Sequence, residues 1–213
     1  MPYTPSHFAA TDEAARSLIS ANPFATLITV HDGEVFATQI PLIFKDAHTL
    51  IGHMARANPH SAMLCAASAP IAVTAQFTGV NAYISPAWYA INTGVPTWNY
   101  ETVQVRGQLT PLTGAAPTEA VVKALIDAFD TQPQVVKQAW ADSAPKAQAA
   151  QLGAIVAFEI AINELHAKTK LSQNRTLADR QAVVHALQAG SANDGLMAAA
   201  MAMAKQYAEQ YAE

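Results

Sequence analysis

Alternating or β-branched apolar residues dominate the first half of this chain, and helical spacing dominates much of the second. Residues 24–30 (FATLITV) are rich in β-branched side chains and predict a strand. His31-Asp32-Gly33 is a hairpin signal, and residues 34–44 return as a second strand. Pro41 falls inside that strand, which predicts an edge or a bulge there. After a turn at 45–48, residues 49–54 predict a third strand. Residues 71–78 alternate apolar and small side chains, with 82–85 as an extension beyond Gly79. Val103, Val105, Gly107 and Leu109 alternate within 102–112, and residues 155–162 alternate around a core.

Helices are signalled by caps and by spacing. Thr11 reads as an N-cap, with Asp12 and Glu13 in the first turn favoured by the helix dipole, and the helix stops before Asn22-Pro23. Asn58-Pro59 opens a helix over about 60–67, with Asn58 as cap and Pro59 at the first helical position. Val121, Val122, Leu125, Ile126 and Phe129 lie at helical spacing within 118–129. Further helices are expected after Pro133, around Pro145, over 177–187 and over 196–211. The expected fold is α+β and mainly β: a small, closed or half-open antiparallel barrel of about six strands, decorated by helices.

Composition narrows the classes. The chain has 213 residues, of which 51% are hydrophobic and only 13% charged. A surface so poor in charge favours self-association. The net charge of −4 argues against a broad nucleic-acid surface, because lysine and arginine must neutralise phosphates. One cysteine, Cys65, excludes an intrachain disulfide framework and a cysteine-based zinc site. Its neighbours Met63, Leu64 and Ala66 predict that it is a buried small hydrophobe. The seven histidines show no metal-ligand spacing, so no metal is expected. No bilayer-spanning run or signal segment is read, and a cytoplasmic location is the default.

Four constellations carry candidate chemistry. In Gly52-His53-Met54-Ala55-Arg56-Ala57-Asn58-Pro59 a strand gives way to a helix, whose first N–H groups point outward. With Arg56 as a charged fork and His53 and Asn58 as further donors, such a junction suits a phosphate; spacing alone favours an ordinary capped helix with a surface arginine. Lys168 to Arg175 (KTKLSQNR) holds three of the twelve basic residues among hydroxyl and amide side chains. That density suits an anion, and equally a loop capping the next helix through Thr176. The aromatic segments Tyr83 to Tyr89 and Val95 to Tyr100, with Trp88, Trp98 and Tyr100, are able to wall a planar ligand or simply to pack a loop. Thr38-Gln39-Ile40-Pro41-Leu42 breaks a ladder and leaves polar groups for a ring edge, or protects an edge strand.

Taken in order, these segments resemble the PaiB-like family of FMN-binding negative transcriptional regulators, split-barrel proteins related in fold to pyridoxamine-phosphate oxidase. The matching stretches are Tyr3 to Phe8, Gln39 to Leu42, Gly52 to Pro59, Tyr83 to Tyr89, Pro96 to Tyr100 and Lys170 to Arg175. The resemblance implies a six-stranded antiparallel split barrel over 1–190 and a homodimer holding flavin mononucleotide (FMN) at the subunit interface; residues 191–213 fall outside the resemblance and are expected to form a helical extension. It implies that Gln39, Ile40 and Pro41 face the ring and that His53, Met54, Arg56 and Asn58 hold ribityl and phosphate. Lys170, Ser172, Gln173, Asn174 and Arg175 are implied to complete the site, from the same or from the second subunit. Trp88, Trp98 and Tyr100 would then line the substrate side. The connecting loop Ala90 to Val95 is shorter and less charged than the family's.

Three functions follow from the resemblance. The first is a flavin-binding transcriptional regulator, for which the acidic charge and the lack of a helix-turn-helix disfavour direct DNA binding. The second is an FMN-dependent oxidoreductase resembling a flavin reductase, with no catalytic acid or base evident in the sequence. The third is a haem-binding or haem-degrading split barrel.

Overall fold

In a computed structural model the structure describes residues 3–91 and 94–210. Among the described residues seven strands form one sheet: β1 (Phe24–His31), β2 (Glu34–Pro41), β3 (Ile43–Asp46), β4 (Thr49–Ala55), β5 (Ile71–Ile84), β6 (Thr97–Pro111) and β7 (Ile155–Lys170), in the order β2-β1-β5-β6-β7-β4-β3. The helices are α1 (Asp12–Ala21), α2 (Pro59–Ala66), α3 (Ala115–Phe129), α4 (Pro133–Ala141), α5 (Pro145–Gly153), α6 (Leu177–Gln188) and α7 (Ala192–Gln210).

The extra strand comes from Pro41. Leu42 leaves the ladder, donates its N–H to Pro23 O at 2.9 Å and buries its side chain completely. The expected strand over 34–44 therefore becomes β2 and β3. The β1–β2 hairpin turns at Asp32 (φ 49°) and Gly33 (φ 82°), the left-handed pair that a two-residue turn needs. The long strands extend beyond their apolar cores: β7 continues to Lys170 and β6 begins at Thr97 rather than 102.

The chain divides into two compact units. One comprises residues 22–77 and 104–165. There β1 pairs antiparallel with β2, β4 with β3, and β4 with β7. Strands β2 and β4 also touch, so the sheet curls back in the manner of a half-barrel. Helix α3 covers β4: Val121 and Leu125 pack on Ile51 and Ala157. Gly107 lets β6 run close to β7, since a Cβ there would overlap the Ala161 carbonyl oxygen.

The other unit comprises residues 1–21, 78–103 and 166–213. Its core joins Ala82, Ile84, Tyr89 and Leu171 with Val183 and Leu187 of α6 and Met197, Ala198 and Met201 of α7. No helix among the described residues is long and apolar enough to cross a membrane.

The expectation for Cys65 is corrected. Helix α2 buries His60, Ser61, Met63 and Leu64, and at 100° per residue this turns Cys65 to the outside, where it is exposed. The apolar neighbours reported the helix, not the face.

Candidate functional site

The first unit contains a cavity of about 370 Å³ lined by Thr38, Gln39, Ile40, Pro41, His53, Met54, Ala55, Asn58 and Ile155. That volume lies in the range of small-molecule sites. Six residues singled out from two separate sequence segments meet on it: Gln39, Ile40, Pro41, His53, Met54 and Asn58.

Local structure explains the convergence. Gly52 lets β4 pass beneath the Pro41–Leu42 break: a Cβ there would lie 2.7 Å from Leu42 Cδ2 and 3.0 Å from Pro41 O. The next residues, His53 to Ala55, pair with Ala157, Val156 and Ile155 of β7. Ile40 and Met54 are buried and form apolar wall, whereas the Gln39 amide donates to Thr26 Oγ1 at 2.9 Å. Asn58 caps α2 by accepting from His60 N at 3.0 Å, and its Nδ2 donates to Thr38 Oγ1 at 3.3 Å.

The His53 imidazole is the polar group left over. Its Nδ1 is buried and has no hydrogen-bond partner among the described residues. Burial lowers its pKa, so the ring is neutral at physiological pH. A buried ring nitrogen without a partner is costly, and a polar ligand in this cavity would satisfy it. This fits the hydroxyl- and carbonyl-rich groups of a flavin nucleotide.

Arg56 does not line this cavity, although its neighbours Ala55 and Asn58 do. Its Nε donates to Gly153 O at 2.6 Å and its Nη2 to Ile155 O at 2.9 Å. It lines a larger cavity of about 620 Å³, shared with Cys65, Ser68, Thr110, Thr113 and Thr118. Two of the five guanidinium donors are thus spent on the end of α5 and the start of β7, and the others remain for an anion.

The basic segment belongs to the second unit. Lys170 Nζ donates to Thr97 Oγ1 and, at 2.6 Å, to Trp98 O. Desolvation first, then the charges of Lys168 and Arg175, lower its pKa. Lys168 stands 5.3 Å from the Tyr100 ring centre, and the Arg175 guanidinium is 4.5 Å from that of Tyr89. Ser172 adopts φ 63° and is buried, and its hydroxyl donates to Asn99 Oδ1 at 3.2 Å. Gln173 closes the turn, accepting from Leu171 N at 2.7 Å and donating to Thr169 O at 2.6 Å. Asn174 is exposed. Trp98 is exposed and meets Tyr83 edge-on at 6.2 Å, while Trp88 packs against the helical core. The segment is thus a shaped turn presenting Lys170, Asn174 and Arg175.

Glu101 in this unit is half-buried, and desolvation pushes its carboxyl up. The folded chain keeps that proton to higher pH than the unfolded chain does. Stability is therefore full below the unfolded carboxylate range, about pH 4, and falls as pH rises through the folded value. Glu101→Gln is expected to raise stability by about 1 kcal/mol at pH 7 and to be neutral near pH 4, as urea melts at the two pH values would show.

Sequence reasoning left Thr38, Ala55 and Ile155 out of the cofactor-binding residues, and it missed His60 altogether. His60 is buried, with Nε2 2.9 Å from Thr29 Oγ1 and Nδ1 2.9 Å from Thr38 Oγ1. A histidine at the start of a largely apolar helix was the available signal.

With this geometry in view, the class is shown by comparison. Residues 2–164 match the family model described as "Putative FMN-binding domain". The chain is 34% identical over 190 residues to "Protease synthase and sporulation protein PAI 2" of Bacillus subtilis, across 87% of this chain and 89% of that one. The FAD and heme binding protein of Mycobacterium smegmatis superposes with a TM-score of 0.58 at 18% identity, over 78% of this chain and 74% of that one. The flavocytochrome Anf3 of Azotobacter vinelandii does so with a TM-score of 0.56 at 16% identity, over 78% and 68%. The fold is thus the flavin-binding split barrel. The chain belongs to the FMN-binding domain family as a PaiB-like member, and its cofactor is FMN.

Proposed function

We propose that the 370 Å³ cavity between the Pro41 break and the β4–α2 junction receives FMN. The buried, unpartnered Nδ1 of His53 carries this reading. Gln39, Ile40 and Pro41 meet the ring, and His53, Met54 and Asn58 meet the ribityl chain, with Arg56 on the phosphate side. Bound FMN supplies electron transfer at its ring, and the protein's residues place that ring and exclude water from one side. The working form is a homodimer, in which Lys170, Asn174 and Arg175 meet the cofactor while Ser172 and Gln173 shape the turn. Residues 1–190 act as the flavin-binding domain and 191–213 as its helical extension.

The biological role that best fits is a flavin-loaded regulator. The B. subtilis relative is named for sporulation and protease synthesis, and this chain's charge of −4 turns the proposal toward a protein or small-molecule input rather than direct DNA binding. Purified protein mixed with FMN and freed of excess is expected to retain a flavin absorption band and to sediment as a dimer. A folded protein that retains no flavin would refute the cavity assignment. Uptake of haem in its place, with His53 Nδ1 as the ligand, would move the haem reading ahead.

A further inference from the structure

The cavity is backed by a short buried chain of polar groups. Thr29 Oγ1 lies 2.9 Å from His60 Nε2, and His60 Nδ1 lies 2.9 Å from Thr38 Oγ1. Thr38 lines the cavity and also accepts from Asn58 Nδ2 at 3.3 Å. Thr29 and His60 are each 1% exposed. The Phe36 ring packs on the imidazole at 5.5 Å, which closes that side to water. Burial lowers the His60 pKa, so the ring is neutral and carries a single N–H.

A neutral imidazole bonded on both sides has two arrangements. With the proton on Nε2, the ring donates to Thr29, and Nδ1 accepts the Thr38 hydroxyl hydrogen. Thr38 then keeps a lone pair for the cavity and has no hydrogen to offer it. With the proton on Nδ1, the ring donates to Thr38, whose two lone pairs are now taken by His60 and Asn58. The Thr38 hydrogen is then available to the cavity, and Thr29 donates to Nε2. No proton is gained or lost; the same one sits on either nitrogen.

We infer that Thr29, His60 and Thr38 form a tautomer relay that sets whether the cavity meets its ligand at Thr38 with a hydrogen-bond donor or with an acceptor. The inference rests on the reading of this cavity as the flavin site. Oxidised flavin presents acceptor nitrogens at its ring edge, and reduced flavin presents N–H groups there. A wall able to switch hand accommodates both without moving a backbone atom. His60 is thus a positioning residue, acting on the ligand only through Thr38.

Thr29→Val is the test, because Thr29 does not line the cavity. It keeps the side-chain shape but removes the acceptor that an Nε2–H needs, so the ring keeps its proton on Nδ1 and Thr38 becomes a fixed donor. The affinity for reduced FMN is expected to fall at least about tenfold relative to oxidised FMN. For a two-electron couple that is a midpoint potential about 30 mV more negative. Two-bond ¹H–¹⁵N spectra should show the His60 proton on Nδ1 in Thr29→Val and on Nε2 in Thr38→Val. A locked ring with an unchanged affinity ratio would overturn the relay, as would a ring that does not respond to either substitution. If the wild-type protein takes up no FMN, the cofactor reading fails separately. The ring spectra then decide: opposite tautomers in the two variants support the relay, and an unchanged tautomer sinks it.

Discussion

Gly52→Val is expected to cost about 3 kcal/mol of stability and to weaken FMN binding at least about tenfold in the fraction that folds. Glycine inside a strand normally weakens it, so valine would be favoured there on propensity alone. Space reverses the sign. A Cβ at position 52 meets Leu42 Cδ2 at 2.7 Å, Pro41 O at 3.0 Å and Phe158 Cζ at 3.3 Å. The leucine methyl is able to yield, but the Pro41 carbonyl is backbone, and Pro41 is part of the cavity wall. Strand β4 has to move away from the break, taking His53 and Met54 with it. Gly153→Ala is the control within the same unit: its Cβ would touch nothing within 4 Å, and a change below about 0.5 kcal/mol is expected. Urea melts of both variants, with flavin titrations by fluorescence quenching, test the pair. An unaltered Kd in Gly52→Val would separate the Pro41 break from the cofactor.

What was legible in the sequence was local. Asn58-Pro59 specifies its helix start by chemistry confined to three residues, and the cap bond to His60 N forms as read. His31-Asp32-Gly33 likewise carries its turn within itself. The motif around Gly52 and the one around Pro41 were each visible, but the pattern gives no reason why they meet. That reason is the absence of a Cβ, which acts across the sheet. Residues 163–170 lack apolar alternation because this half of β7 is only partly buried, so strand periodicity ends before the strand does. Ser172 holds its left-handed backbone with its side chain bonded to Asn99, which is 73 residues away. The His60 relay spans 31 and 22 positions to its two threonines. Contacts of that range leave no periodic trace, and only the oddity of a buried histidine marks the place.

Arg56→Ala is expected to lower stability by about 1–2 kcal/mol and FMN affinity by about 1.5 kcal/mol, roughly tenfold. The stability loss follows from the two charge-assisted bonds to Gly153 O and Ile155 O, at the carbonyl end of α5 where a cation is favoured. The affinity loss has two physical routes. A guanidinium has five N–H donors, and the two carbonyl bonds leave others for a phosphate. Alternatively, Arg56 acts through Ile155, whose carbonyl it holds and which lines the smaller cavity. Arg56→Lys separates them, because lysine keeps the charge but cannot span two carbonyls as a planar fork does. If the phosphate contact dominates, Arg56→Lys recovers most of the affinity while remaining less stable than the wild type. If the clamp on Ile155 dominates, affinity and stability fall together in both variants. The charge-poor surface makes the first outcome the expected one: only twelve lysines and arginines serve the whole chain, and Arg56 is the one carried by the β4–α2 junction.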